Sequence, residues 1–144
     1  MTKGRRFLIF GSGILLLALV LTTCTFGPLD RKLNLLRLEQ MARWSPGTAL
    51  SESRDEGWSF PALASGQSFA FVQRTFRFRT AADAIDGQLE ALDVADDDGW
   101  VLGALSDPTQ TREKPLPLGA SGELGAHVDP DDSTLVILTL KAFD

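Results

Sequence analysis

Ser68-Phe-Ala-Phe-Val-Gln-Arg-Thr-Phe-Arg-Phe-Arg79, followed at once by Thr80-Ala-Ala-Asp-Ala-Ile-Asp-Gly-Gln-Leu-Glu-Ala-Leu-Asp-Val94, decides the fold class. The first half alternates with period two. Ala70, Val72, Phe76 and Phe78 fall on one face, and Gln73, Thr75, Arg77 and Arg79 on the other. Arg74 intrudes on the apolar face, Phe69 and Phe71 on the polar one, and a bulge near Gln73 would reconcile the two halves. The second half changes period. Thr80 is a good N-cap with Asp83 three residues on, and Ile85, Leu89 and Leu92 recur at helical spacing, which predicts a helix from Ala81 to about Val94 with those three toward a sheet. Gly87 costs this helix about 1 kcal/mol relative to alanine and would permit close packing.

Downstream, Asp96-Asp97-Asp98-Gly99 stops the helix, since carboxylates oppose the dipole at a helix C-terminus. Trp100–Leu105 reads as a strand, residues 106–122 as a long loop carrying Pro108, Pro115, Pro117, Gly119 and Gly122, and Leu124–Val128 as a weak strand. Asp129-Pro130-Asp131-Asp132 is a turn. Thr134–Phe143 is a last strand whose continuous apolar run Leu135–Leu138 predicts a central, buried place. The expected fold is α+β, a small two-layer βαββ-type sandwich over residues 58–144 with a mostly antiparallel sheet.

Upstream, residues 45–57 are polar and rich in small residues, as in a linker, and the sequence around Trp58–Leu63 allows a short strand that Pro61 would confine to a sheet edge. Pro28 opens a helix expected to reach Trp44. Leu29, Leu33 and Leu36 form one stripe of it and Leu35, Leu38 and Ala42 a second. Two stripes imply two neighbours, such as the chain's own domain and a bilayer or partner. Glu39 and Arg43 are spaced as an i,i+4 pair.

The first residues carry the strongest functional signal. Lys3, Arg5 and Arg6 precede the charge-free run Phe7–Leu29, whose 23 residues would span about 34 Å as a helix, enough for a bilayer core of about 30 Å. Residues 1–28 are therefore expected to be a membrane anchor or signal segment. Three fates stay open: an uncleaved signal anchor, a cleaved secretory signal, or a lipoprotein signal cut before Cys24. Leu21-Thr22-Thr23-Cys24 resembles a bacterial lipobox, with leucine three residues before the cysteine. Thr23 departs from the Gly, Ala or Ser normal at that place. Length favours the retained helix, and the order basic, apolar, polar domain places the C-terminal part on the extracytoplasmic side, in the periplasm or at the cell surface.

After residue 28 there are 11 basic and 19 acidic residues, a net charge of −8. Such a domain is repelled by nucleic acid and anionic lipid. It has no cysteine, so disulfide frameworks and thiolate metal sites are excluded. The chain lacks tyrosine, has Asn34 as its one asparagine, and contains ten Arg against four Lys, a bias that suits a GC-rich bacterial genome.

No catalytic set emerges. His127 is the only histidine, with no nucleophile motif to serve. Asp96–Asp98 and Asp129–Asp132 read as solvated turns, since neither supplies the ligand spacing of a calcium loop. No cofactor or metal is implied. Arg77 and Arg79 share a strand face and have the chemistry to hold an anion bidentately, or to pair with nearby carboxylates. Trp44 and Trp58 flank the linker, where tryptophan marks interfaces. The reading that follows is a membrane-tethered, non-enzymatic interaction module, an accessory subunit of a bacterial envelope complex. It would dock through residues 29–44, with Leu33, Leu36 and Trp44, and through the exposed sheet face, with Trp58, Arg77 and Arg79 as further contacts. The alternative is a ligand-binding lipoprotein or solute-sensing domain, with lipid on Cys24 and an anion on Arg77, Arg79 and His127.

Overall fold

The computed structural model describes residues 14–15, 28–59, 68–103 and 111–143. Its elements in chain order are α1 (Pro28–Leu38), β1 (Ser51–Ser59), β2 (Phe69–Arg77), α2 (Ala81–Asp97), β3 (Thr111–Pro115), a 3-10 turn (Pro117–Gly119), β4 (Ser121–Val128) and β5 (Leu135–Phe143). The five strands form one antiparallel sheet in the order β1-β2-β5-β4-β3. The fold is thus α+β, with a larger sheet than the βαββ pattern expected. Both additional strands come from stretches that lack apolar alternation. β1 lies mostly in the expected linker and shares Trp58 and Ser59 with the edge strand allowed at Trp58–Leu63, whose other residues lie outside the described ones, and β3 lies in the expected loop.

Alternation sets the two sides of the sheet. Ala70, Val72 and Phe76 of β2, Val136, Leu138, Leu140 and Ala142 of β5, and Leu124 and Ala126 of β4 are buried. In register they stand side by side, with Val72 opposite Leu140 and Leu140 opposite Leu124. Both helices cover this inner face, α1 mainly over β2 and α2 over β4 and β5. The apolar β5 occupies the centre, as its sequence predicts. Pairing runs unbroken from Ser51–Arg77 to Ser59–Phe69, so there is no bulge at Gln73. Arg74 keeps its inward place and Phe69 and Phe71 their outward one.

Thr80 caps α2 as expected, its Oγ1 accepting the Asp83 N–H at 3.1 Å. The helix is turned differently from the Ile85–Leu89–Leu92 expectation. Ala84, Gly87, Ala91, Leu92 and Ala95 are buried, while Ile85 and Leu89 are 52% and 54% exposed. The cause is volume. The space beneath the helix already holds the Phe78 ring, and a close-packed interior takes small residues opposite large ones. At Gly87 a β-carbon would lie 2.3 Å from Cζ of the Phe78 ring, far inside contact distance.

The helix also outruns its expected stop and reaches Asp97. Arg112 of β3 holds the Asp96 carboxylate with bonds of 2.6 and 3.3 Å, and this cation offsets the dipole penalty there. A Schellman pair then ends it. The N–H of Trp100 donates to the Ala95 carbonyl and that of Gly99 to Asp96, with Gly99 at φ +85°. Trp100 is thereby turned into the core, and its neighbour Val101 makes only an isolated bridge to Glu113 instead of the strand expected from Trp100 onward.

Of the charge-free run, only Ile14, Leu15 and the helical backbone at Pro28 and Leu29 are described. The anchor, signal and Cys24 expectations lie outside the described residues. No described helix is long and apolar enough to cross a membrane.

Candidate functional site

A polar cluster joins β1 and β2 to α1 and the turn after it, and it is built around arginines. Arg74, buried in the β2 row, donates from Nη2 to Glu52 Oε2 at 2.7 Å and from Nη1 to the carbonyls of Trp44 and, at 3.4 Å, Ala42. Its guanidinium lies 5.1 Å over the Phe76 ring. Arg54 of β1 donates to the same Ala42 carbonyl at 3.1 Å and to Glu56 at 2.9 Å. Arg37 of α1 reaches Glu56 from the other side, with Nε at 3.0 Å, and donates to Asn34 Oδ1. The Arg37 bond, opposed by partial burial and assisted by Arg54, holds the Glu56 carboxyl below its usual 4.5. The Arg37–Glu56 pair and the bonds of Arg54 and Arg74 to the Ala42 and Trp44 carbonyls join α1 and its following turn to the sheet, while Arg74–Glu52 and Arg54–Glu56 pair within the sheet.

A second junction sits at the far edge. Lys114 of β3 donates to Glu39 at 2.8 Å and to Asp98 at 3.3 Å, and lies 5.6 Å over the Trp100 ring. Glu39 thus pairs across the fold and not with Arg43. α1 has ended at Leu38, and Arg43 turns back to the Leu38 carbonyl.

The residues singled out in the sequence do not converge on one site. Leu33 and Leu36 are buried in the core, so α1 presents that stripe to its own sheet. Trp44 is half-buried, edge-on to Phe76 at 5.7 Å. Trp58 lies on the β1 edge and is 51% exposed. Arg77 is engaged, donating to Asp132 at 3.1 Å and to Thr134 Oγ1 at 3.4 Å. Asp132 also accepts the Thr134 hydroxyl and N–H, and these bonds, with Arg77, hold its carboxyl below the usual 3.8. Arg79 lies past the end of β2, exposed. His127 is half-buried opposite Ile137. Among the described residues, no three His, Cys, Asp or Glu side chains are placed to hold a metal ion.

What remains is the outer face of the sheet, on the side opposite α1 and α2. Phe69, Phe71, Ile137 and Phe143 sit there half-buried among Gln73, Thr75 and Thr139. Phe69 and Phe143 stack at 5.4 Å, and Lys141 lies over the Phe69 ring while donating to Glu123 at 2.7 Å. Phe71 covers Gly57 in the neighbouring strand, 3.6 Å from where a β-carbon would stand. Beside the stack an open cleft of about 490 Å³ lies between Val101, Glu113, Pro115, Ser121, Glu123 and Phe143. This face can bind by contact. It offers aromatic area with a polar surround, the composition of a protein interface. The two phenylalanines that broke the polar row were its sequence signal. Ile85 and Leu89 were legible as apolar but not as exposed. Comparison with protein-family models, curated proteins and solved structures returns no match.

Proposed function

We propose that the chain is a membrane-tethered, non-enzymatic interaction module, an accessory subunit of a bacterial envelope complex whose C-terminal domain stands on the extracytoplasmic side. One observation carries the docking part: the antiparallel sheet has both helices on one face and leaves Phe69, Phe71 and Phe143 on the other. The charge-free run Phe7–Leu29 carries the tethering part. The docking surface is the outer sheet face rather than residues 29–44, because α1 buries Leu33 and Leu36 against its own strands. Against the lipoprotein alternative, Arg77 already holds Asp132 and Thr134, so an anion would have to displace them.

The test is extraction of the full chain from native membranes in mild detergent. A partner in fixed ratio is expected, lost in Phe71→Asp. A protein that is always solitary would defeat the proposal. Intact mass of the same sample separates the tethers, since retained Met1 marks an anchor and lipid on Cys24 a lipoprotein.

A further inference from the structure

The outward side of α2 joins two features that nothing in the fold explains. Ile85 and Leu89, one turn apart, are more than half exposed. Beside them Asp86, Glu90, Asp93 and Asp97 run down an adjoining row at spacings of four, three and four residues. The helix contains six acidic residues and no basic one. Asp96 is neutralised by Arg112, but Asp86, Glu90, Asp93 and Asp97 make no ion pair among the described residues. Like charges four apart on a helix repel, and Asp97 stands in the last turn, where the helix dipole disfavours a carboxylate. A solvated helix face is ordinarily laced with both signs. This one repels itself along about 16 Å of axis and borders an apolar strip.

We infer that this face docks a basic amphipathic helix of a protein partner. Its apolar positions would lie on Ile85 and Leu89, and its Lys or Arg residues, spaced by three and four, would meet the carboxylate row. The inference rests on the interaction-module reading but uses a surface separate from the outer sheet face. The carboxylates select the occupant. An anionic membrane surface is repelled, and a second copy would bring the same acidic row. Neither feature is sufficient alone. The acids steer and orient the partner, and the apolar strip supplies the area that leaves water.

The experiment places a benzophenone amino acid at position 89 of the full chain in native membranes, followed by irradiation and sequencing of the crosslinked peptide. The expected adduct is a peptide of another protein with Lys or Arg at helical spacing beside apolar residues. Asp86→Asn, Glu90→Gln and Asp93→Asn together should lower its yield about tenfold. The triple variant removes only like-charge neighbours on an exposed face, and circular dichroism checks that it folds. No adduct, a lipid adduct, an adduct with this chain itself, a partner peptide without basic residues, or a yield unchanged by the triple variant would each overturn the inference. The same label at Phe71 separates the two surfaces. Crosslinking there but not at position 89 sinks this inference alone, and failure at both sinks the module reading as well.

Discussion

Arg74 occupies a position that alternation reserves for an apolar side chain, and its neighbours on that face in β2 and β5, Val72, Phe76 and Leu138, are apolar. A buried guanidinium is tolerable only when its charge is paired and its donors are used. Glu52 supplies the charge and the carbonyls of Ala42 and Trp44 supply acceptors, while Nε is left without a partner. Arg74 thereby does the work of a cap for the turn after α1. Leucine at this position restores the alternation but orphans the Trp44 carbonyl, since Ala42 keeps its bond from Arg54. Arg74→Leu should therefore lower unfolding free energy by about 2 kcal/mol, measured by urea titration. Unchanged stability would mean that the turn after α1 holds itself. Alternation marked Arg74 as anomalous. It carried no information on the acceptors, which lie some thirty residues away in a segment with no strand-like pattern.

At the scale of elements, α2 shows how two apolar arcs on one helix compete. The larger side chains, Ile85 and Leu89, lost to Ala84, Gly87, Ala91 and Ala95, because the sheet face beneath supplies the bulk itself. Periodicity counts apolar positions without weighing the volume opposite, so it located this helix and its cap but not its rotation. Gly87→Ala tests the packing. Alanine gains about 1 kcal/mol of helix propensity, whereas forcing a methyl into the Phe78 ring costs about 1–3 kcal/mol. The expected result is a net loss of stability, partly relieved when Phe78→Leu is added, so that the two changes are non-additive in a double-mutant cycle. A Gly87→Ala protein more stable than its parent would mean that the ring moves aside freely. β1 and β3 escaped sequence reading for a related reason. Edge strands need partners on one side only and tolerate charge, which also guards against edge-to-edge association.

Over the whole molecule, polar bonds fasten the helix layer to both edges of the sheet, through the Arg37–Glu56 pair and the Arg54 and Arg74 bonds to the turn after α1 on the β1 side, and through Lys114 with Glu39 and Asp98 at β3. Lys114 gives this a pH signature. Partial burial pulls its ammonium down, but the bonds and charges of Glu39 and Asp98 outweigh that and leave it above the ordinary 10.5. A cation whose pKa is raised by folding adds stability that is complete below the unfolded value and lost as pH rises through the folded one. Unfolding free energy should accordingly fall above pH 10.5, and Lys114→Met should lack that component of the alkaline limb in urea titrations across pH. Identical alkaline limbs would show that the junction contributes nothing. The class α+β and the central place of β5 were legible from periods and apolar runs. The partnerships that close the molecule were not, because they join residues as distant as Glu39 and Lys114.

The arginine junctions also bear on how far α1 can move from the sheet. With Arg37 and Arg74 locking α1 and its turn to the strands, α1 belongs to the folded body from Pro28 on. Residues 45–57 would have acted as a swivel had they been free. With residues 51–57 folded into β1, helix and sheet move as one piece. Whatever turns α1 turns the outer sheet face with it.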